Sequence, residues 1–196
     1  TVNFVDDDNN NAVVDTWQFS GRASENVPIS PQIPDDRYEL ASNQEMPKDY
    51  TLTAGSDNTI TVHLVHKKHN VTEAEAPNQL ERTITRTINV TTPDQGQATN
   101  LETTVQSVTL TRTGVMDDVT GKITYGQWTA KDGKDTFDEF VPKAYTGFSP
   151  NVKQLSKVTV TPDTQSSVVN ISYDQGAASL TVNFQDTDGK VIGSQV

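Results

Sequence analysis

Residues 59–64 read Thr-Ile-Thr-Val-His-Leu, and this alternation of polar and apolar side chains decides the fold class. Residues 82–88 (RTITRTI) and 168–173 (VVNISY) show the same kind of pattern. Each run places apolar side chains on one side of an extended strand and threonine, serine or charged side chains on the other. Sheets with one buried face and one hydrated face have this pattern. The sequence therefore predicts a mainly β protein.

The composition supports that class and limits the partners. Twenty-eight of the 196 residues are threonine, a β-branched residue that suits a pleated surface better than a helix. The 26 acidic and 15 basic residues give a formal charge of −11, which disfavours sequence-independent binding of nucleic acid. The chain has no cysteine, so disulfides and thiolate chemistry are excluded, and no apolar run is long enough to span a membrane. We expect a soluble protein that binds neither nucleic acid nor membrane.

The sequence at the beginning of the chain recurs near its end. Residues 1–8 (TVNFVDDD) and 181–188 (TVNFQDTD) are identical at six of eight positions, at an offset of 180 residues. This spacing is too long for a solenoid and fits tandem domains. We predict that residues 180–196 form the opening strand and turn of a next repeat. The alternative is that two similar hairpins arose independently or lie within one fold.

A second boundary is predicted inside the unit. Residues 70–78 (NVTEAEAPN) are polar and acidic, and they separate two well-patterned strands. The prediction is a first module over 1–74 and a second over 75–179, each small enough to depend on a few large anchors. The candidate anchors are Phe4, Trp17, Phe19, Tyr38 and Leu40 in the first module, and Trp128, Phe137, Phe140, Tyr145 and Phe148 in the second.

Several short motifs occur in an order typical of a known family. They are residues 1–7 (TVNFVDD), 58–67 (NTITVHLVHK), 111–114 (TRTG), 118–121 (DVTG), 125–129 (YGQWT) and 145–150 (YTGFSP). In this order the chain resembles the mucus-binding (Mub/MucBP) repeats of Gram-positive bacterial surface adhesins. The likeness spans most of residues 1–180 and is weakest between Gly21 and Asp57.

The resemblance implies an α+β fold of two tandem ubiquitin-like β-grasp modules in an elongated arrangement, each with a short helix across a mixed sheet. It also implies an extracellular, cell-wall-anchored protein, with the anchor outside this sequence, that binds mucin glycoproteins and their glycans and in some relatives immunoglobulins. The chain departs from a grasp module over residues 21–50. Four prolines there interrupt any helical period, so we expect a short helix or a loop: Pro28, Pro31, Pro34 and Pro47.

Candidate ligand-binding residues follow from the chemistry of sugars, which stack on aromatic faces and accept hydrogen bonds from planar donors. Tyr125 and Trp128 are the aromatic candidates, and if they share one strand they point to opposite faces. For Trp128 the alternative is a core residue. Arg112, Lys67 and Lys68 are the cationic candidates, because anionic sugars need a local basic patch on so acidic a chain.

A weak calcium site is a further hypothesis for Asp6, Asp8 and Asn10, since their turn has the oxygen density that Ca²⁺ requires. The alternative is a hairpin turn stabilised by its own Asp and Asn side chains. The histidines, at 63, 66 and 69, follow β-branched residues, so on a strand His63 and His66 face opposite ways; we expect solvated strand-end histidines rather than a zinc site.

No nucleophile elbow, phosphate loop or dinucleotide fingerprint occurs in the sequence, so we predict no enzymatic activity and no cofactor beyond that calcium. Weak binding per unit, multiplied by neighbouring repeats in the same chain, is the predicted mode of adhesion. A host-protein or immunoglobulin binding module, through an exposed sheet edge, and a structural spacer in an adhesin stalk are the alternatives.

Overall fold

The computed structural model describes the backbone of residues 1–177 and 181–195. It confirms the predicted mainly β class: within these ranges the only helix is the 3-10 turn Asp7–Asn9, and none is long and apolar enough to cross a membrane. The strands are β1 Val2–Asp6, β2 Ala12–Trp17, β3 Asn26–Pro28, β4 Tyr38–Leu40, β5 Asp49–Thr51, β6 Ile60–His66, β7 Lys68–Asn70, β8 Glu81–Thr91, β9 Leu101–Thr111, β10 Gly114–Asp117, β11 Ile123–Tyr125, β12 Thr129–Ala130, β13 Thr136–Phe137, β14 Phe148–Pro150, β15 Val158–Thr159, β16 Ser167–Ile171, β17 Tyr173–Gln175, β18 Val182–Gln185 and β19 Val191–Gln195.

The chain forms two compact units that are not two consecutive stretches of sequence. Unit one contains Thr1–Leu80 and Arg112–Gln127. Unit two contains Glu81–Thr111 and the described residues from Trp128 onward. The arrangement differs from a division after residue 74, because β10 pairs antiparallel with β7 and so returns the segment after β9 to unit one.

The first sheet of unit one has the strand order β2-β1-β6-β4, with β1 and β6 parallel. Alternation along β6 turns Val62 and Leu64 inward, where they pack with Phe4 in a core whose members are at most 8% exposed. The predicted anchors of this module are confirmed: Phe4 and Tyr38 are buried, and the other three are partly buried against the same core.

Residues 21–50 contain no helix, in agreement with the expectation from their prolines. Short strands and loops take its place: β3 pairs with β5, and β4 pairs with the end of β6. This arrangement covers the core with Ile29 and Tyr38. A second sheet of unit one, in the order β11-β10-β7, sets Met116 opposite His69 and Asp117 opposite Lys68.

The main sheet of unit two has the order β12-β9-β8-β16, with β8 and β16 parallel. Its inner face carries two small core clusters, one around Ile84 and Phe137 and the other around Ile88 and Ile171. Trp128 and Phe140, two other predicted anchors, are partly buried against these clusters. The predicted anchors Tyr145 and Phe148 are half-buried and belong to neither cluster.

Arg86 is a charged residue inside unit two, with a residual exposure of 6%. Its Nε and Nη2 donate to Gln106 Oε1 at 3.1 and 2.8 Å, its Nη1 donates to Ser156 O at 3.2 Å, and Nη2 also donates to Asp138 O. The guanidinium carbon lies 5.2 Å from the centre of the Phe137 ring. The guanidinium therefore joins the sheet to the segment that crosses it between β12 and β16.

The hairpin of β18 and β19 repeats the geometry of the hairpin of β1 and β2. Both have a register shift immediately after the shared phenylalanine, between Phe4 and Val5 and between Phe184 and Gln185. The environments differ, since Phe4 is 1% exposed and Phe184 is 50% exposed. The similarity of residues 1–8 and 181–188 thus extends from sequence to strand pairing.

Candidate functional site

Arg112 and Tyr125 lie together in unit one. The Arg112 guanidinium stacks over the Tyr125 ring at 3.8 Å from its centre, donates from Nε to Gln79 O at 2.7 Å and from Nη2 to Gln79 Oε1 at 3.1 Å. One ring face and several donors that a sugar would need are therefore used within the protein. The pair fastens the segment before β8 to the β10–β11 hairpin, and its role in ligand binding stays a prediction.

Trp128 belongs to unit two, whereas Tyr125 ends β11 in unit one. The two residues do not share a strand, because Trp128 lies between β11 and β12. Trp128 is half-buried: it packs against the cluster of Ile84 and Phe137 and also lines a cleft of about 540 Å³. Its two sequence interpretations, core residue and surface residue, therefore each describe part of its environment.

The indole lies in a mainly apolar cleft that also has polar side chains in its lining, and we name it the Trp128 cleft. Its walls carry Asp135, Thr159 and Thr161, and its apolar lining includes Leu110 and Pro162. The backbone is held in place, since Val160 N donates to Asp135 O at 2.7 Å. An aromatic face with hydroxyl and carboxylate groups beside it is the kind of surface that binds sugar rings.

Neither Lys67 nor Lys68 lines the Trp128 cleft. Lys67 Nζ donates to Asp36 O at 2.7 Å, which ties it to the loop before β4. Lys68 is exposed at the start of β7. The structure does not join these two lysines to Trp128, so their role in ligand binding stays a prediction.

All three histidines bind carboxylates. His66 is 7% exposed, and it lies between Asp117 Oδ2, 2.7 Å from Nδ1, and Asp6 Oδ2, 2.9 Å from Nε2. Ionised carboxylates only accept hydrogen bonds, so this geometry favours the imidazolium, in which both ring nitrogens donate. Burial alone lowers the pKa of His66, but the hydrogen bonds to Asp117 and Asp6 outweigh it and raise the pKa above 6.5.

The other two histidines have more exposed side chains than His66. His63 faces away from His66, as its strand position predicts, and its Nδ1 lies 2.6 Å from Asp7 Oδ1. His69 lies between Asp118 and Glu75, and the hydrogen bonds to these two carboxylates raise its pKa. The expectation of solvated strand-end histidines is wrong for His66, because Asp117 comes from a strand far away in sequence and covers the ring.

The calcium hypothesis concerns Asp6, Asp8 and Asn10. One ligand atom each from Asp6, Asp8 and His66 lie within 4.8 Å of one another. The protein's own donors already engage these acids: His66 and Tyr38 donate to Asp6, and the backbone N–H of His66 donates to Asp8 at 2.9 Å. Calcium prefers six to eight oxygen ligands, and this set includes an imidazole with both nitrogens engaged. The donor set does not fit calcium, and the turn interpretation accounts for these side chains.

A second cleft in unit two, of about 650 Å³, was not predicted from the sequence. We name it the Tyr145 cleft, and its lining includes Gln95, Lys143, Tyr145, Phe148 and Gln175. Residues 145–150 stood out as a motif, but their aromatic residues were assigned to the core. The signal that could have identified the cleft is the lysine two residues before Tyr145 together with a glycine turn at Gly147, whose φ is +79°.

Two domain families match this chain. Residues 75–177 match the Muc B2-like domain, and residues 1–66 match a mucin binding domain. Among solved structures, Mub-RV is 26% identical, with a TM-score of 0.68, over 90% of this chain and 97% of that chain. The type 2 repeat of the mucus binding protein MUB from Lactobacillus reuteri is 22% identical, with a TM-score of 0.50, over 89% and 97%, and shows the fold alone. No curated protein matches the chain.

Proposed function

Because this chain belongs to the Muc B2-like domain family, a family of mucus-binding repeats, we propose that it is a non-enzymatic adhesion module that binds mucin glycoproteins through their glycans. The observation that carries the proposal is the pair of family matches, since a mucin binding domain precedes the Muc B2-like domain in the same chain. A bacterial cell-surface location, with wall anchoring supplied by regions outside this sequence, and a β-grasp topology within the two units belong to the same proposal.

The Trp128 cleft is the proposed contact with the glycan. The indole offers a flat apolar face, its core packing fixes its orientation, and Asp135 and Thr161 stand on the same walls to bind hydroxyl groups. A shallow cleft of this kind binds weakly, because few side chains converge on the ligand. The acidic Asp135 makes a neutral sugar the better occupant of this cleft.

Trp128→Phe is expected to weaken retention on immobilised mucin roughly fivefold, equivalent to about 1 kcal/mol, because phenylalanine keeps the apolar packing and loses half of the flat face. Trp17→Phe is the matched control, since Trp17 is also half-buried against a core, in unit one. Surface plasmon resonance of both variants on mucin tests the assignment. Equal losses in the two variants would show that Trp128 acts only through stability.

Serial units are proposed to supply the avidity that one unit lacks. The β18–β19 hairpin, which repeats the pairing of β1–β2, is proposed to open a further repeat of the same kind. A fusion of three copies of this chain is expected to be retained on mucin about 10²–10⁴-fold more strongly than one copy. Retention that does not rise with copy number would contradict the proposal.

Binding of a host protein such as immunoglobulin is the second candidate, and one observation favours it. β9 pairs with β12 only at Leu110 and Thr111, and Lys131 N donates to Thr109 O, so the first eight residues of β9 pair with β8 alone. Leu101 and Val105 on this strand are 66% and 60% exposed. An open edge of this length can accept another strand. Immunoglobulin capture without any glycan binding would favour this candidate. If the chain binds neither immunoglobulin nor glycan, a structural spacer would be favoured.

A further inference from the structure

We propose that the Tyr145 cleft binds the anionic end of a glycan, a sugar that carries a carboxylate or a sulfate ester. The inference rests on the proposed function and names a site and a ligand class for it. The cleft lies between the β8–β9 loop, at Asp94 to Gly96, and the segment from Lys143 to Phe148. Its volume of about 650 Å³ is in the range of small-ligand sites, and the cleft is open to solvent.

The wall that carries Tyr145 is fixed by contacts within unit two. The Tyr145 ring packs edge-to-face on Tyr173, with 5.1 Å between ring centres. The Tyr173 hydroxyl donates to Lys143 O at 2.6 Å, and Gly176 N donates to Gly147 O at 2.8 Å. Both ends of the short segment are therefore tied to β17 and its following residue. A wall that is already ordered loses little conformational entropy when a ligand binds.

The side chains offer three kinds of contact to one sugar ring. Tyr145 and Phe148 are half-buried and present apolar ring surface for the C–H face of a pyranose. Gln95 and Gln175 are exposed amides that can bind hydroxyl groups. Gln175 is placed by strand pairing, because it lies opposite Phe148 in the β14–β17 ladder.

Lys143 selects an anion. Its ammonium lies 5.4 Å from the centre of the Tyr145 ring, which orients the charge beside the aromatic surface. Among the described residues Lys143 forms no ion pair, whereas Lys131 and Lys134 each bind a carboxylate at 2.7 and 2.6 Å. Its charge is therefore available to a ligand.

The net negative charge of the chain does not prevent this site from binding an anion. Screening limits the reach of distant carboxylates to about 8–10 Å, so neighbouring groups decide the local potential. Asp94 is the acidic group in the lining, and its Oδ1 accepts from Gly96 N at 2.9 Å, which directs it to its own turn. The predicted ligand therefore places its acidic group at Lys143 and its hydroxyl groups toward Asp94.

The test compares Lys143→Gln with Lys153→Gln, an exposed lysine of the same unit that changes the net charge equally and lies outside the cleft. The probes are 3′-sialyllactose, 3′-sulfolactose and lactose, followed by chemical-shift changes in the whole chain. We expect both anionic probes to shift residues 94–96 and 143–148, and Lys143→Gln to weaken them about tenfold with Lys153→Gln unchanged. Tyr145→Leu, which keeps an apolar wall, is expected to weaken all three probes.

The outcomes separate this inference from the proposed function. If the wild-type chain is retained on mucin but the two lysine variants bind the anionic probes equally, the inference is wrong and the function stands. If the anionic probes bind at Lys143 but mucin is not retained, the site stands and the mucin assignment is wrong. A response to only one anionic probe identifies the carboxylate or the sulfate as the source, and a response to lactose alone overturns the inference.

Discussion

Arg86→Met is expected to lower the free energy of unfolding of unit two by about 3 kcal/mol, because it removes four part-buried hydrogen bonds that a charged side chain donates. The variant keeps an apolar stem of similar length against Phe137. It removes the donors to Ser156 O, Asp138 O and the Gln106 side chain, all of which point inward at the guanidinium. The loss comes from broken hydrogen bonds rather than from a missing charge pair, since the contacts of Arg86 are carbonyl oxygens and one ring. Asp138 O keeps a second donor, Gln106 Nε2, at 3.1 Å.

Arg82→Met is the matched control on the same strand. Arg82 is exposed and donates to Pro162 O at 2.6 Å, so its replacement is expected to change the free energy of unfolding by no more than about 1 kcal/mol. The chain contains two tryptophans, Trp17 in unit one and Trp128 in unit two. Urea unfolding followed by fluorescence in a Trp17→Phe background therefore reports unit two. Similar midpoints for the two arginine variants would contradict the role assigned to Arg86.

Unit one is expected to be most stable in mildly acidic solution and to lose stability as the pH rises above neutral. The folded pKa of His66 is raised, so its contribution is complete below the unfolded value of 6.5 and is lost as pH rises through the folded pKa. At the acid end the sign reverses. Burial raises the pKa of Asp117, but the hydrogen bonds from His66 and Thr120 outweigh it and lower the pKa to about 2, so the contribution of Asp117 is lost as the pH falls from 3.8 toward that value.

His66→Gln is expected to lower the free energy of unfolding of unit one by about 3 kcal/mol at mildly acidic pH and to flatten its pH dependence. The groups that face the ring are Asp6 on β1, Asp117 on β10, Tyr38 on β4 and the Asp8 carboxylate at the backbone N–H. A glutamine amide cannot replace an imidazolium between two carboxylates, so Asp6 and Asp117 are left as partly buried, uncompensated charges.

His63→Gln controls for the general loss of a histidine. His63 binds a single carboxylate at the surface, with its side chain 38% exposed, and a change well below 1 kcal/mol is expected. Urea unfolding from about pH 5 to about pH 9 in a Trp128→Phe background follows unit one. A wild-type curve that is flat across this range, or that rises with pH, would refute the assignment of a buried imidazolium.

The alternating runs identified the strands because alternation is a local property. All of 59–64 except Thr59 lies in β6, 82–88 lies in β8, and 168–173 spans β16 and the start of β17. The proline-interrupted region 21–50 contains no helix. The opposite orientations of His63 and His66 also follow from alternation alone. These features need only the two-residue period of a strand.

The sites could not be predicted in the same way, because they depend on pairs far apart in sequence. Asp117 reaches His66 across 51 positions, and Arg86 reaches Asp138 across 52. Nothing in the local pattern of either residue indicates its partner. Tyr125 and Trp128 illustrate the converse: they are three positions apart, yet the chain passes from one unit to the other between them.

The parallel strand pairs have a mechanical consequence. In unit one β1 lies parallel to β6, and in unit two β8 lies parallel to β16, with five aligned residue pairs in each case. Tension that pulls the two strands of such a pair in opposite directions makes them slide, so the rungs of the ladder share the load instead of opening one after another. Each unit thus contains a ladder whose geometry suits shear.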